Sequence, residues 1–445
     1  MRETTGQQPT KPITDQYGNL HHKTDELARG GQGVVFRTKD TDLAIKQPLD
    51  EYEQLDHDVN LQDRFREIRR LPLPADIKVS LPLAILDDEP GYVMRLLSGM
   101  KPFASFDLDG KTKLELKTEK LPKWLEAVSD HDTALRLLHY SRTGSTRRRL
   151  YALSKCASVL ARLHSAGLVY GDISPNNAFV GDGYRSDVWL IDADNLRFEL
   201  QGHGATVYTP GYAAPEIMRG TDSSRPRTDC WAFAVMAFNT LALCHPFIGK
   251  KVLQPEDDDG GWDAEPSPEC VPADLDDRAY AGYFPFVDDE DDDSNRGGGL
   301  PRDMVMTEGL RRLFQETFGA GREEPHRRPT MGFWALELAK AFDRSLECPE
   351  CKMSYFADGN KSCPYCDNPR PALVRAITPG WEILIPNGVD NFPLPHRMFY
   401  PFSVEKHDDT EHKVVLDYVA LKASPVRGEE PFPENLRFLF EGART

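Results

Sequence analysis

No stretch of this chain approaches the ~20 consecutive apolar residues that a membrane helix needs. The longest candidate, Cys230 to Leu243, is shorter and contains Asn239 and Thr240. The N-terminus reads MRETTGQQPTKP and lacks the hydrophobic stretch of a signal peptide. Both absences make a cytoplasmic location the expectation. Basic residues are in deficit, 54 against 71 acidic ones. Duplex-binding proteins normally present a basic face, so nucleic acid is not an expected partner. Cysteine is sparse, eight in 445 residues, which excludes a disulfide-framed mini-protein. In a reducing compartment, clustered cysteines read as metal ligands before disulfides.

What is present is an ordinary globular composition, 40% hydrophobic and 28% charged, in a chain long enough for two to four domains. The net charge of -17 is concentrated. Glu256 to Asp293 holds sixteen acidic residues and one basic one, Arg278, so the rest of the chain is near neutral. That segment lacks the ligand order of a calcium loop. A solvated, largely disordered insert is the expectation, with Trp262, Tyr280 and Phe284 hinting at a docking segment for a basic partner.

Residues 1–20 read as a loose polar arm. From about Glu26 to Gln47 the pattern is strand, glycine turn, strand, turn, strand. Leu61, Phe65, Ile68 and Leu71 recur at helical spacing and predict a helix that Pro72 ends. Leu150, Leu153, Ala157, Leu160 and Leu163 form the apolar face of another, and residues 230–243 are apolar all round, the mark of a buried helix. Further helices are expected near 307–318 and 331–345, and β-type runs in the tail at 381–385 and 413–421.

Ala28-Arg29-Gly30-Gly31-Gln32-Gly33-Val34-Val35 is a glycine turn between strands, through which backbone N–H groups can approach phosphate oxygens. Lys46, in Ala-Ile-Lys on the next strand but one, can reach the same phosphates. Either feature alone is as well read as a tight hairpin or a solvated lysine. A lysine so placed needs an anionic partner, and Glu67 on the following helix is the preferred choice over Glu53 and Asp63. Downstream, Asp172 is followed five residues later by Asn177, and a strand then ends in Asp192. This is a phosphoryl-transfer arrangement: Asp172 to accept or orient the proton of the attacking hydroxyl, Asn177 and Asp192 to offer hard oxygen ligands to Mg²⁺.

With these motifs in this order, residues 20–345 resemble the eukaryotic-like (Hanks-type) serine/threonine protein kinases, in a divergent bacterial subgroup. Val93-Met94-Arg95-Leu96-Leu97 is similar to the family's hinge, and Thr209-Pro210-Gly211-Tyr212-Ala213-Ala214-Pro215-Glu216 to the end of its activation segment. Asp229-x-Trp231 resembles the start of its central helix, and Arg327-Arg328-Pro329 its late Arg-Pro motif, in which Arg328 would pair with Glu216. The resemblance implies a two-lobed α+β fold, with 21–98 as the ATP-holding lobe and 99–345 as the helical lobe carrying the acidic insert 256–293. It implies ATP contacts from Ala28, Gly30, Gly31, Gly33, Val35, Lys46, Glu67, Met94, Arg95 and Leu97. It places Asp172, Lys46 and Asn177 in the catalytic set, Mg²⁺ on Asn177 and Asp192, and Thr209 against the catalytic aspartate.

The departures are specific. Ala28 stands at the first loop glycine, Tyr170-Gly171 at the usual His-Arg, Ser174 at the usual lysine, and Asp192-Ala193-Asp194 at Asp-Phe-Gly. Without that arginine, switching by activation-loop phosphorylation is not expected. Gly-Asp-Ile-Ser lies nearer to RIO-type kinases and aminoglycoside phosphotransferases. A small-molecule phosphotransferase and a weakly active ATP-binding scaffold are therefore the alternatives to a protein kinase.

Cys348-x-x-Cys351 and Cys363-x-x-Cys366 fit a four-thiolate Zn²⁺ site in a ribbon spanning 346–370. Four thiolates leave no open position, so the metal is read as structural. A β-rich module, 371–445, follows. The combination resembles kinases of bacterial stress-response cassettes, which implies a protein substrate and phosphatase or von Willebrand A-type partners.

Overall fold

The computed structural model describes residues 12–253 apart from 31–32, 75, 184–186 and 200–207, residues 275–386 apart from 358 and 379, and the short runs 391–394, 424–425 and 437–440. In chain order its principal elements begin with β1 (Lys23–Gly30), β2 (Gly33–Thr38), β3 (Leu43–Gln47), α1 (Val59–Arg69), β4 (Ala84–Ile85) and β5 (Tyr92–Arg95). Then come β6 (Met100–Pro102), α2 (His131–Arg142), α3 (Ser145–Ser165), β7 (Leu168–Val169), β8 (Ala178–Gly181) and β9 (Val188–Leu190). The later ones are α4 (Pro226–Ala242), α5 (Glu308–Phe318), α6 (Met331–Arg344), β10 (Ser345–Glu347), β11 (Ser354–Phe356), β12 (Leu373–Thr378) and β13 (Trp381–Pro386). The chain divides into two compact units: residues 1–105, 155–299 and 312–335 form the first, and 106–154, 300–311 and 336–445 the second. This division runs across the boundaries expected from the sequence, since 99–345 is shared between both units.

In the first unit a five-stranded antiparallel sheet has the order β1-β2-β3-β5-β4. Its register sets Val35 and Tyr92 on either side of Lys46. Alternation along β3 sends Ile45 into a cluster with Ile13, Ala84, Leu86 and Val93, while Lys46 leaves by the opposite face. On β5, Tyr92 packs with Phe65 of α1 and with Ile85, and Met94 lies against the same cluster. Helix α1 starts where Asp58 accepts a hydrogen bond from the Asn60 N–H, a cap that satisfies one of the orphan donors of the first turn. It buries Phe65 and Ile68.

A second sheet of this unit, β9-β8-β6, brings the loops after β7 and β9 together. Beneath them lies α4, buried on nearly every side as its all-apolar sequence demands. Trp231, Phe238, Phe247, Phe286, Phe314 and Phe318 interlock around it, with Phe238 edge-on to Phe286 at 5.3 Å and Phe286 tilted on Phe318 at 5.0 Å. The expectation of a disordered insert is corrected here for its second half. Ala279, Ala281, Phe286 and Val287 are buried, and burial of these apolar groups outweighs the solvation of the carboxylates beside them. Asn295 pins the same loop, donating to the Phe247 and Pro285 carbonyls at 2.8 Å each and accepting from the Lys251 N–H at 3.0 Å. The first half, 254–274, and the expected strand at 413–421 lie outside the described residues.

In the second unit, Leu116, Leu125, Ala134, Leu135 and Leu138 form one core. The β10–β11 hairpin is tied to the helices of this unit: the Ser354 N–H donates to Ser145 Oγ at 2.8 Å and Ser141 Oγ donates to the Cys351 carbonyl at 2.7 Å. Arg149 is fully buried, its guanidinium over Tyr140 and its N–H groups donating to the Phe106, Tyr140 and Ser145 carbonyls. β12 and β13 form an antiparallel hairpin, and Trp381 Nε1 donates to Asp343 at 2.8 Å. No described helix is long and apolar enough to cross a membrane.

Candidate active site

The loop after β7 is shaped from below. Asp229, in the first turn of α4 and 2% exposed, accepts the Tyr170 N–H at 2.8 Å and the Gly171 N–H at 2.9 Å, and meets His164 Nε2 at 3.0 Å. Gly171 has φ of 85°, a left-handed conformation that costs glycine little. Asp172 then projects into the site, with its orientation fixed on both oxygens. Thr209 Oγ1 donates to Oδ1 at 2.7 Å and Asn177 Nδ2 to Oδ2 at 3.0 Å. Burial raises the Asp172 pKa, while Thr209, Asn177 and the Lys46 charge pull it back.

From the sheet, Lys46 reaches the turn after β9. Lys46 is 6% exposed, and its ammonium pairs with Asp192 in a short contact and with Asp194 Oδ2 at 2.6 Å. Asp194 Oδ1 in turn accepts the Tyr92 hydroxyl at 2.7 Å. Asp192 holds φ of 56° and ψ of 61°, left-handed for a residue with a Cβ, and such local strain is characteristic of functional sites. Burial, followed by the Asp194 charge among the raising influences, pushes Asp192 up to about 6 despite Lys46.

The structure therefore gathers Lys46, Asp172, Asn177, Asp192 and Thr209. It does not bring Glu67 to Lys46, which corrects that expectation. Glu67 is 63% exposed and faces Arg64 at 3.5 Å. The inward position of α1 belongs instead to Arg64, which donates to the Leu196 carbonyl at 2.7 Å. Among the phosphate-loop residues, Gly30 pairs with Gly33 and Ala28 with Val35 across the hairpin, while Gly31 lies outside the described residues. A Cβ on Gly33 would sit 2.5 Å from the Gln47 carbonyl oxygen. Met94 packs inward against Phe65 and Tyr92, Arg95 ends β5 exposed, and Leu97 follows partly buried.

Asp192 and Asp194 hold the Lys46 ammonium, and the Asp172 carboxylate feels its charge. Asn177 and Asp192 carry oxygen donors of the hard kind that a divalent cation of the Mg²⁺ class takes. A cavity beside Asp172 is lined by Tyr208, Thr209, Tyr212, Ala213, Ile217 and Ala232. Beside the lining residue Ile217, Glu216 is held by Arg328, whose buried guanidinium forms two bonds to it, at 2.6 and 2.7 Å. His245 reaches the same segment, meeting the Gly211 carbonyl at 3.3 Å beneath the Tyr280 ring.

In the second unit the four sulfurs of Cys348, Cys351, Cys363 and Cys366 lie within 4.8 Å of one another, the closest pairs at 3.6 Å. A disulfide needs ~2.05 Å, whereas ~2.3 Å Zn–S bonds in a tetrahedron separate sulfurs by about 3.8 Å. The residues present fit the metal.

Three elements of this geometry were not legible beforehand: the Asp229 anchor, Tyr92 and the Asp194 contact. A carboxylate opening an otherwise apolar helix was the available signal for the first.

Residues 124–260 match the protein kinase domain family. The chain is similar to serine/threonine-protein kinase PknD of Chlamydia caviae, 25% identical over 51% of this chain and 24% of that protein. It is similar to PknL of Mycobacterium tuberculosis, 32% identical over 21% of this chain and 24% of that one. With YabT of Bacillus subtilis it shares 22% identity over 54% of this chain and 60% of the relative. The chain thus spans about a quarter of the length of the PknD relative that it matches.

Proposed function

We propose that this chain, which carries a protein kinase domain with bacterial Hanks-type kinases among its relatives, transfers the γ-phosphate of ATP, with Mg²⁺, to a serine or threonine hydroxyl of a protein in bacterial signalling or stress response. The observation that carries the reading is the triple arrangement at Asp172: Thr209 on one oxygen, Asn177 on the other, and the cavity alongside. An acceptor hydroxyl seated there would give its proton to Asp172, whose raised pKa suits a base that must later release it. Lys46 offers the buried positive charge for phosphate oxygens. Asn177 and Asp192 would hold Mg²⁺, which supplies charge neutralisation to the transferring phosphate. The glycine turn and the hinge residues Met94, Arg95 and Leu97 are read as the nucleotide's bed, 21–98 as the ATP-holding part and 99–345 as the acceptor-presenting part.

The Arg328–Glu216 lock favours a protein acceptor over a small molecule, because it stabilises a platform beside the site. Cys348, Cys351, Cys363 and Cys366 would hold a structural Zn²⁺ in the 346–370 ribbon. From the resemblance to stress-response cassettes we also infer phosphatase or von Willebrand A-type partners, which copurification from the native host would reveal.

The test is transfer of labelled phosphate from ATP to the protein itself or to a generic protein acceptor. Wild type should label, and Asp172→Asn and Asp192→Ala should not. Equal labelling by those variants would sink the mechanism. Binding of Mg-ATP with no transfer to any acceptor would return the weakly active scaffold.

A further inference from the structure

We propose that Asp194 is the positioning residue for the Lys46 ammonium, in place of a glutamate from α1, and that Tyr92 orients Asp194. The inference rests on the kinase reading above, since it assigns an anchor to that reading's phosphate-binding lysine.

Two carboxylates hold Lys46, and they are not equivalent. Asp192 is the one expected to face Mg²⁺, so its charge is shared. Asp194 points its Oδ2 at Lys46 Nζ, 2.6 Å away, and gives its other oxygen to the Tyr92 hydroxyl at 2.7 Å. Tyr92 is fully buried, and its ring stands edge-on to Phe65 at 4.8 Å, so its hydroxyl has one direction available. It is also the cross-strand neighbour of Lys46. Lysine, tyrosine and aspartate therefore form a closed arrangement built on the rigid sheet. A buried charge is retained only where it is paired and hydrogen-bonded, and this arrangement does both.

Helix α1 supplies no rival anion. Glu67 points to solvent, and the inward residue is Arg64, of the wrong sign to hold a lysine. Arg64 has a different use. It donates to the carbonyls of Asp194, at 3.4 Å, and Leu196, at 2.7 Å. The helix thus steadies the backbone of the turn that carries Asp194, and reaches Lys46 only through that turn. Ala193 and Leu196, both fully buried, seat the turn from below.

The experiment compares the full chain with Asp194→Asn, Asp194→Glu, Tyr92→Phe and Glu67→Gln, each checked for an unchanged melting temperature. Two readouts are taken: the kcat and KM for ATP at several Mg²⁺ concentrations, and the rate at which an ATP acyl phosphate acylates Lys46. Losing a charge-assisted hydrogen bond should raise the KM for ATP by about 10–100-fold in Asp194→Asn. The half-saturating Mg²⁺ concentration should not move. Asp194→Glu should recover part of the loss, Tyr92→Phe should fall between, and Glu67→Gln should stay within about twofold of wild type in both readouts.

A Glu67→Gln defect equal to that of Asp194→Asn would overturn the proposal. So would an Asp194→Asn defect cured by excess Mg²⁺, which would make Asp194 a metal ligand. Failure of the kinase reading is told apart by the wild type. If it acylates at Lys46 but transfers no phosphate, the reading falls while the anchor is still judged by the acylation rates. No acylation of Lys46 in the wild type overturns both.

Discussion

Arg328 encloses Glu216 in a two-pronged ion pair whose arginine side chain is entirely removed from solvent. The same guanidinium donates to the Gly321 and Arg227 carbonyls and lies 5.0 Å from the Trp231 ring. Every prong is used, so the pair avoids the penalty that falls on half-satisfied buried charges.

Removing one partner strands the other. Arg328→Ala should cost about 3–5 kcal/mol of unfolding free energy, measured as a lower urea midpoint with an unchanged slope. Arg328→Lys should recover only part of this, because an ammonium cannot reproduce the planar fork.

Asp172→Asn should reduce phosphate transfer by about 10²–10⁴-fold while ATP affinity stays near wild type. Thr209→Val removes one donor from Asp172 and should cost less, on the order of tenfold in kcat. A radiolabelled transfer assay with saturating ATP separates the two.

His245 gives a pH prediction. Its Nδ1 accepts the Phe247 and Ile248 N–H groups at 3.1 and 3.3 Å, so Nε2 carries the proton donated to Gly211. Burial pushes its pKa from 6.5 down to about 4. Below pH 6.5 the unfolded chain takes up a proton that the folded chain refuses, so stability falls as pH drops toward 4. Thermal melts across that window should show the loss, and His245→Gln should flatten it.

The four-cysteine site should hold about one Zn²⁺ per chain by metal analysis. Chelation, or Cys351→Ser, should lower the melting temperature by about 5–10 °C, since metal binding and folding of such a site are one equilibrium. Protein purified without chelator that contains no Zn²⁺ would remove the site from the account.

Sequence and structure agree best where the chemistry is local. Asp172 and Asn177 share one loop, and Lys46 sits on a strand whose neighbours are set by a short hairpin, so spacing alone brought them forward. The partner of Lys46 was misread for a physical reason. Periodicity gives a helix at 59–69, but residues 64 and 67 lie on adjacent faces, and only tertiary packing decides which turns inward. Here Phe65 and Ile68 set that rotation and leave Glu67 in solvent. The competing anion, Asp194, arrives from far along the chain, where no local pattern links it to Lys46. Charge density alone reads the acidic stretch as disordered, but its Phe286 completes an aromatic cluster with Phe238 of α4, Phe318 of α5 and Phe247 between them.

Asp229 grips the catalytic loop by the amides of Tyr170 and Gly171 rather than by their side chains. An anchor that reads only peptide groups does not itself depend on the side chains at the two positions, although the left-handed φ of Gly171 still asks for glycine there. Tyr170 adds a hold of its own, its hydroxyl donating to the Ile191 carbonyl, and Asp172 follows these two fixed residues. The placing of Asp172 is thus delegated to a carboxylate far along the chain, and a change at Asp229 would move Asp172 without touching it.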